Sequence, residues 1–242
     1  AIYYTSYKIY EVIRSLPLML QSALLPAASH LDAIGDKYMT DQLISRVTKY
    51  SYIIFFIASV PMFFSVKDFL YLWVGQEFVP YAFVVQILLF QPLISTCYSV
   101  LTNVILAKDD FKFAVNYSVM LGILSMVFLF LLIKPYGLAG VALAIVLPYC
   151  ILITYFMNNA LRVVNIEALR FFKEVFTPLM IPIIGILISS YLISKYFQIN
   201  TWATLIIFFI INPIVFILLY LIFSLNASEK VEIKTLIKVV VK

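Results

Sequence analysis

The sequence predicts an all-α integral membrane protein, a multi-span helix bundle of about seven transmembrane helices. Composition is the first sign: 64% of the 242 residues are hydrophobic and 12% charged, whereas soluble domains sit near roughly 45–50% apolar and about 25% charged. Mean hydropathy is +1.05. Apolar runs of about 20 residues recur along the chain, the length a helix needs to cross the hydrocarbon core. These runs are continuous, without the alternation of barrel strands. Lipid offers backbone groups no partners, so continuous runs of this length read as helices.

The first run, 3–28, is unlike the rest. It holds Lys8, Glu11 and Arg14, whereas no other run has a charge in its interior. Three charges at membrane depth cost on the order of 8 kcal/mol. The eight Ile, Val and Leu residues of this run return about 2.5–5 kcal/mol. A watery face inside a bundle is therefore expected here. The net charge of the trio is +1, which favours an anionic ligand where the dielectric is low. Glu11 has a cation three residues away on each side, so it is expected to be paired. Further runs follow at 48–66, 80–106, 112–133, 138–157, 176–194 and 202–225. Pro17, Pro26, Pro61, Pro92, Pro148, Pro178, Pro182 and Pro213 lie inside these runs. They predict kinks that neighbouring helices re-satisfy.

Loop charges give an orientation. One alternate set of connections holds Lys37, Arg46, Lys49, Lys108, Lys112, Arg162, Arg170, Lys173, Lys230, Lys234, Lys238 and Lys242; the other holds Lys67, Lys134 and Lys195. Twelve against three places the C-terminus in the cytoplasm and the N-terminus outside. Residues 1–225 are the expected membrane unit and 226–242 a cytoplasmic basic tail. The tail lysines recur every four residues, a spacing suited to an anionic inner leaflet or to solvent. Residues 29–47 read as a polar cytoplasmic connection with Asp41 as a helix N-cap. The stretch 67–79 reads as an outer interfacial segment bearing Tyr71 and Trp73. A chain that starts outside with an odd number of spans is expected to continue a longer protein.

Several chemistries have no residues to carry them. The sequence lacks GxxxxGK[ST], HExxH and GxSxG. One histidine and two cysteines buried in apolar runs give no metal site, and no cofactor is expected. Eleven of the twelve acidic residues lie outside the runs and the loops are short, so an enzyme is not expected. Nucleic acid is not an expected partner.

The segment LLIKPYGLAGVALAIVLPY (131–149) resembles the signature of polysaccharide-export flippases. A span ends, a tight Tyr-Gly turn follows, and a helix opens with small residues: Gly137, Ala139, Gly140, Ala142 and Ala144. Such residues let membrane helices approach closely. Residues 5–31 and 88–120 are similar to further helices of that family, the second around the Lys-Asp-Asp-Phe-Lys turn at 108–112. The chain is thereby identified with the C-terminal lobe of the multidrug/oligosaccharidyl-lipid/polysaccharide exporter superfamily.

The resemblance implies one lobe of a two-lobe flippase fold in the cytoplasmic membrane, its partner lobe N-terminal to this chain. It implies transport of a polyprenyl-pyrophosphate-linked oligosaccharide by alternating access, for surface polysaccharide synthesis. On that reading Arg14 and Lys8 contact the pyrophosphate and Glu11 orients Arg14, or all three only join helices. Gln21, Gln91, Asn103 and Asn116, with Gln86 and Asn212, either line a sugar path or hydrogen-bond between helices. Two alternatives stand beside it: a cation-coupled multidrug exporter, which needs an acidic cavity, and a membrane-embedded polysaccharide polymerase or ligase, which needs a large catalytic loop.

Overall fold

A computed structural model describes residues 2–22, 24–35, 37–107 and 111–225. The 108–110 turn and the 226–242 tail lie outside the described residues. The described chain is helical throughout, with no strands. Its helices are α1 (Ile2–Gln21), α2 (Leu24–Ile34), α3 (Lys37–Val74), α4 (Ala82–Leu88), α5 (Phe90–Ala107), α6 (Phe111–Val163), α7 (Ala168–Phe176), α8 (Met180–Tyr196) and α9 (Trp202–Leu219). Among the described residues five stretches are long and apolar enough to cross a membrane: Lys37–Val74, Gln76–Ala107, Lys112–Val163, Ala168–Tyr196 and Trp202–Ser224.

Proline chemistry explains where the helices break. A proline ring clashes with the carbonyl four residues before it. Pro26 thus targets Ser22, and α1 ends at Gln21. Pro92 targets Leu88, the last residue of α4. Pro182 targets Pro178, which lies in the 3₁₀ turn Thr177–Leu179. The expected single span 3–28 is therefore two helices, 80–106 is interrupted at Leu89, and 176–194 is preceded by the separate helix α7. At Pro17, Pro61, Pro148 and Pro213 the helix continues through.

The expected polar connection 29–47 is corrected as well. It is helical almost throughout, split between α2 and α3. Asp41 is not an N-cap, because α3 already starts at Lys37. At the other end α3 runs through 67–74 and stops at Gly75, whose φ of 103° suits only glycine. Hydropathy marks where helices meet water, whereas these 38 residues span about 57 Å, well beyond the roughly 30 Å hydrocarbon core.

The 53 residues of α6 are two antiparallel arms. Gly137 (φ 52°, ψ −125°) is the break, at the Tyr-Gly turn expected from the sequence. Phe113 and Phe156 would lie roughly 65 Å apart on a straight helix, yet their rings stack at 5.4 Å. Near the tip, Gly140 lies so close to the Leu132 carbonyl that a Cβ there would overlap it.

The core is built around α3, which packs against α1, α2, α5, α8 and α9. Tyr52, Phe55, Val66 and Leu70 of α3, Val100 and Leu101 of α5 and Phe216 of α9 are buried together. The outward sides of α6, α8 and α9 expose Ile123, Met126, Phe130, Ile188, Ile210 and Leu218. That is the surface a bilayer takes at no polar cost. The outward side of α1 is mixed: Tyr4, Glu11, Val12 and Met19 are exposed and Lys8 is half-buried.

Candidate functional site: a cationic notch beside α1

Helical geometry separates the three charges of α1. Each three-residue step falls about 60° short of a full turn, so Arg14 lies about 120° around the helix from Lys8. Lys8 and Glu11 stay on the outward side, with side chains 41% and 49% exposed, and Lys8 Nζ donates to Glu11 Oε2 at 2.6 Å. Glu11 therefore holds Lys8, where orientation of Arg14 was expected. Arg14 turns inward instead, toward α5 and the second arm of α6. Among the described residues no carboxylate pairs with it.

Arg14 lines a notch of about 50 Å³ with Pro17 and Leu18 of α1, Pro92, Ser95, Thr96, Tyr98 and Ser99 of α5, and Tyr149 of α6. This volume accommodates a few waters or a small polar group. The walls are built by local bonds. Thr96 Oγ1 donates to the Pro92 carbonyl at 2.7 Å, and Ser99 Oγ donates to Gln21 Oε1 at 2.6 Å, with the Thr96 carbonyl 2.9 Å away as the alternative acceptor of its single proton. Behind the notch, Tyr10 Oη donates to Gln91 Oε1 at 2.8 Å. The phenols of Tyr10 and Tyr149 both lie within electrostatic reach of Arg14. The guanidinium thus sits among phenols and hydroxyls, all of which accept hydrogen bonds without carrying charge.

Tyr98 extends this polar wall into an aromatic cluster. Its ring lies 4.8 Å from Tyr117 and 4.6 Å from Phe156. The Tyr117 hydroxyl is buried and has no hydrogen-bond partner among the described residues.

The polar residues expected along the spans divide by role. Gln21 is buried and joins three helices, donating from Nε2 to Ser51 Oγ of α3 at 3.1 Å and accepting from Ser99 of α5. Gln91 is buried against Tyr10. Gln86 donates to the Phe63 carbonyl at 3.0 Å. Asn212 accepts from Ser189 and Ser190 at 2.7 and 2.9 Å, fastening α9 to α8 away from the notch. Asn103 is half-buried and Asn116 is exposed, and neither lines the notch.

Sequence reasoning named Arg14 but missed Tyr149, Ser95, Tyr98 and Ser99 as its neighbours. One signal was present for Tyr149, a hydroxyl-bearing ring directly after a mid-span proline. Among the described residues no group of His, Cys, Asp and Glu is placed to hold a metal ion. No protein-family model, curated protein or solved structure matches this chain.

Proposed function

We propose that this bundle is one lobe of a membrane transporter that moves an anionic lipid-linked oligosaccharide by alternating access, Arg14 gripping its pyrophosphate. The observation that carries the proposal is Arg14: a cation without a carboxylate among the described residues, set in a notch of neutral hydroxyls and phenols. A guanidinium in such a place has donors to offer and no internal anion to receive them. Arginine matches phosphate oxygens in a forked, two-bond geometry. Lys8 is neutralised by its bond to Glu11, so the net positive charge of the helix rests on Arg14.

On this reading the membrane is crossed seven times. The crossings are α1 with α2, α3, α4 with α5, the two arms of α6, α8, and α9. The basic ends of α3, α6 and α7 face the cytoplasm, and the missing wall of the cavity belongs to a second lobe. The resemblance of residues 131–149 to export flippases supports the substrate class. A drug-exporter reading requires a free acid in the cavity, and the one acid of α1, Glu11, is taken by Lys8.

The test is export of lipid-linked saccharide by the full-length protein carrying Arg14→Ala or Arg14→Lys. A charge-assisted hydrogen bond is worth about 1.5–3 kcal/mol. Arg14→Ala is therefore expected to weaken substrate binding roughly ten- to a hundredfold, with Arg14→Lys intermediate. Unchanged export by Arg14→Ala at normal protein levels sinks the phosphate role.

A further inference from the structure

A short helix far from the notch has a surface of its own. α7, with sequence ALRFFKEVF, runs directly into α8 through the Thr177–Leu179 turn. Its inner face is fixed: Phe171 and Val175 are both 0% exposed. Ser45 Oγ of α3 donates to Glu174 Oε2 at 3.0 Å, which also fixes the helix's rotation about its axis. At about 100° per residue, the flank beside that inner face carries Phe172 and Leu169, which are 41% and 61% exposed.

Next around the helix come Lys173 and then Arg170. Arg170 Nε is matched by Glu174 Oε1 at 2.8 Å. Lys173 and Arg162, at the end of α6, are exposed and have no carboxylate partner among the described residues. An apolar flank bordered by unmatched cations fits neither bulk water nor the hydrocarbon core. It fits the boundary between them, where apolar side chains enter the acyl region and cations meet headgroups.

We propose that α7 is an in-plane interfacial helix that binds the anionic phospholipid surface. Leu169 and Phe172 insert among the upper acyl chains. Lys173 and Arg162 engage headgroup phosphates, and the Arg170–Glu174 pair faces water. The helix fixes the depth at which α8 enters the membrane. None of this depends on the role of Arg14.

The test uses the full chain with Trp73→Phe, Trp202→Phe and Phe172→Trp, leaving one tryptophan as the probe. It is reconstituted in phosphatidylcholine vesicles doped with brominated phosphatidylcholine or brominated phosphatidylglycerol. The tryptophan is expected to be quenched by both lipids, and more strongly by phosphatidylglycerol. Lys173→Gln and Arg162→Gln are each expected to lower that preference about fivefold. Quenching by aqueous iodide without quenching by bromolipid overturns the insertion. Equal quenching by both lipids, unchanged by the two glutamine variants, overturns the headgroup contact. Burial of the Cys97 thiol checks the fold of each variant, and Leu169→Trp replaces Phe172→Trp if the latter loses it.

Discussion

Gly140→Ala tests a close backbone approach between the two arms of α6. The added methyl would overlap the carbonyl of Leu132 on the other arm of α6. That obstacle is main chain, which cannot rotate aside as a side chain would. Restoring ordinary contact requires the arms to part by about 1 Å, and overpacking of this kind costs about 1–3 kcal/mol. Gly122 on the first arm supplies the control, because a Cβ there meets nothing within 4 Å. Gly122→Ala replaces a helix-interior glycine and is expected to gain about 0.5–1 kcal/mol. Gly140 is interior to the helix as well, so that gain is common to both, and the two variants should differ by the overpacking cost of about 1–3 kcal/mol, or roughly 2–12 °C in melting temperature for a chain of this size. The chain has its own reporter: Cys97 is buried beside Met157 and Cys150 is exposed. In a Cys150→Ser background, labelling of Cys97 by a thiol-reactive dye during heating reads the unfolding of the bundle. Equal melting of the two variants, or a higher value for Gly140→Ala, would refute the backbone contact at the hairpin tip.

Two further substitutions test the buried polar joints. Gln21→Leu removes bonds to both Ser51 and Ser99; at about 0.6 kcal/mol per interhelical bond it should lower the Cys97 labelling midpoint by roughly 2–5 °C. An unchanged midpoint would mean that the joint adds nothing. Asn212→Leu frees Ser189 and Ser190 and should lower the midpoint by a similar few degrees. Because that joint lies away from the notch, export by the full-length protein is expected to persist, and loss of export at normal protein levels contradicts the separation.

The sequence carried the class of fold and the hairpin clearly. Membrane immersion is a matter of composition, and the turn at Gly137 has a local cause in a backbone conformation that side chains disfavour. Helix ends were harder to read, for two physical reasons. Hydropathy reports the solvent around a helix and not its backbone, so the polar start of α3 looked like a loop. Prolines of identical chemistry ended α1 and α4 yet left α3 and α9 continuous. The outcome depends on whether the freed carbonyl finds a neighbour, which is a tertiary property. The site was legible by half. Charges inside an apolar run are visible at once, and a spacing of three makes all three look equivalent. The residual rotation of about 60° per step then sends Glu11 to Lys8 and Arg14 to the notch. Ser95, Ser99 and Tyr149 reach Arg14 across 81 to 135 positions of chain, beyond any local pattern.

The central place of α3 has a consequence for how the molecule comes apart. The pair α8 and α9 packs principally on itself and on α3, while α6 leans on α4 and α5. The notch is assembled entirely from α1, α5 and α6. A partition therefore runs along α3, with the cationic chemistry on one side and the last two long helices on the other. Those two can tilt, loosen or insert late as a unit without moving a wall of the notch. Evolution can likewise reshape the α8–α9 side to suit a different lipid while leaving Arg14 and its ring of hydroxyls as they are.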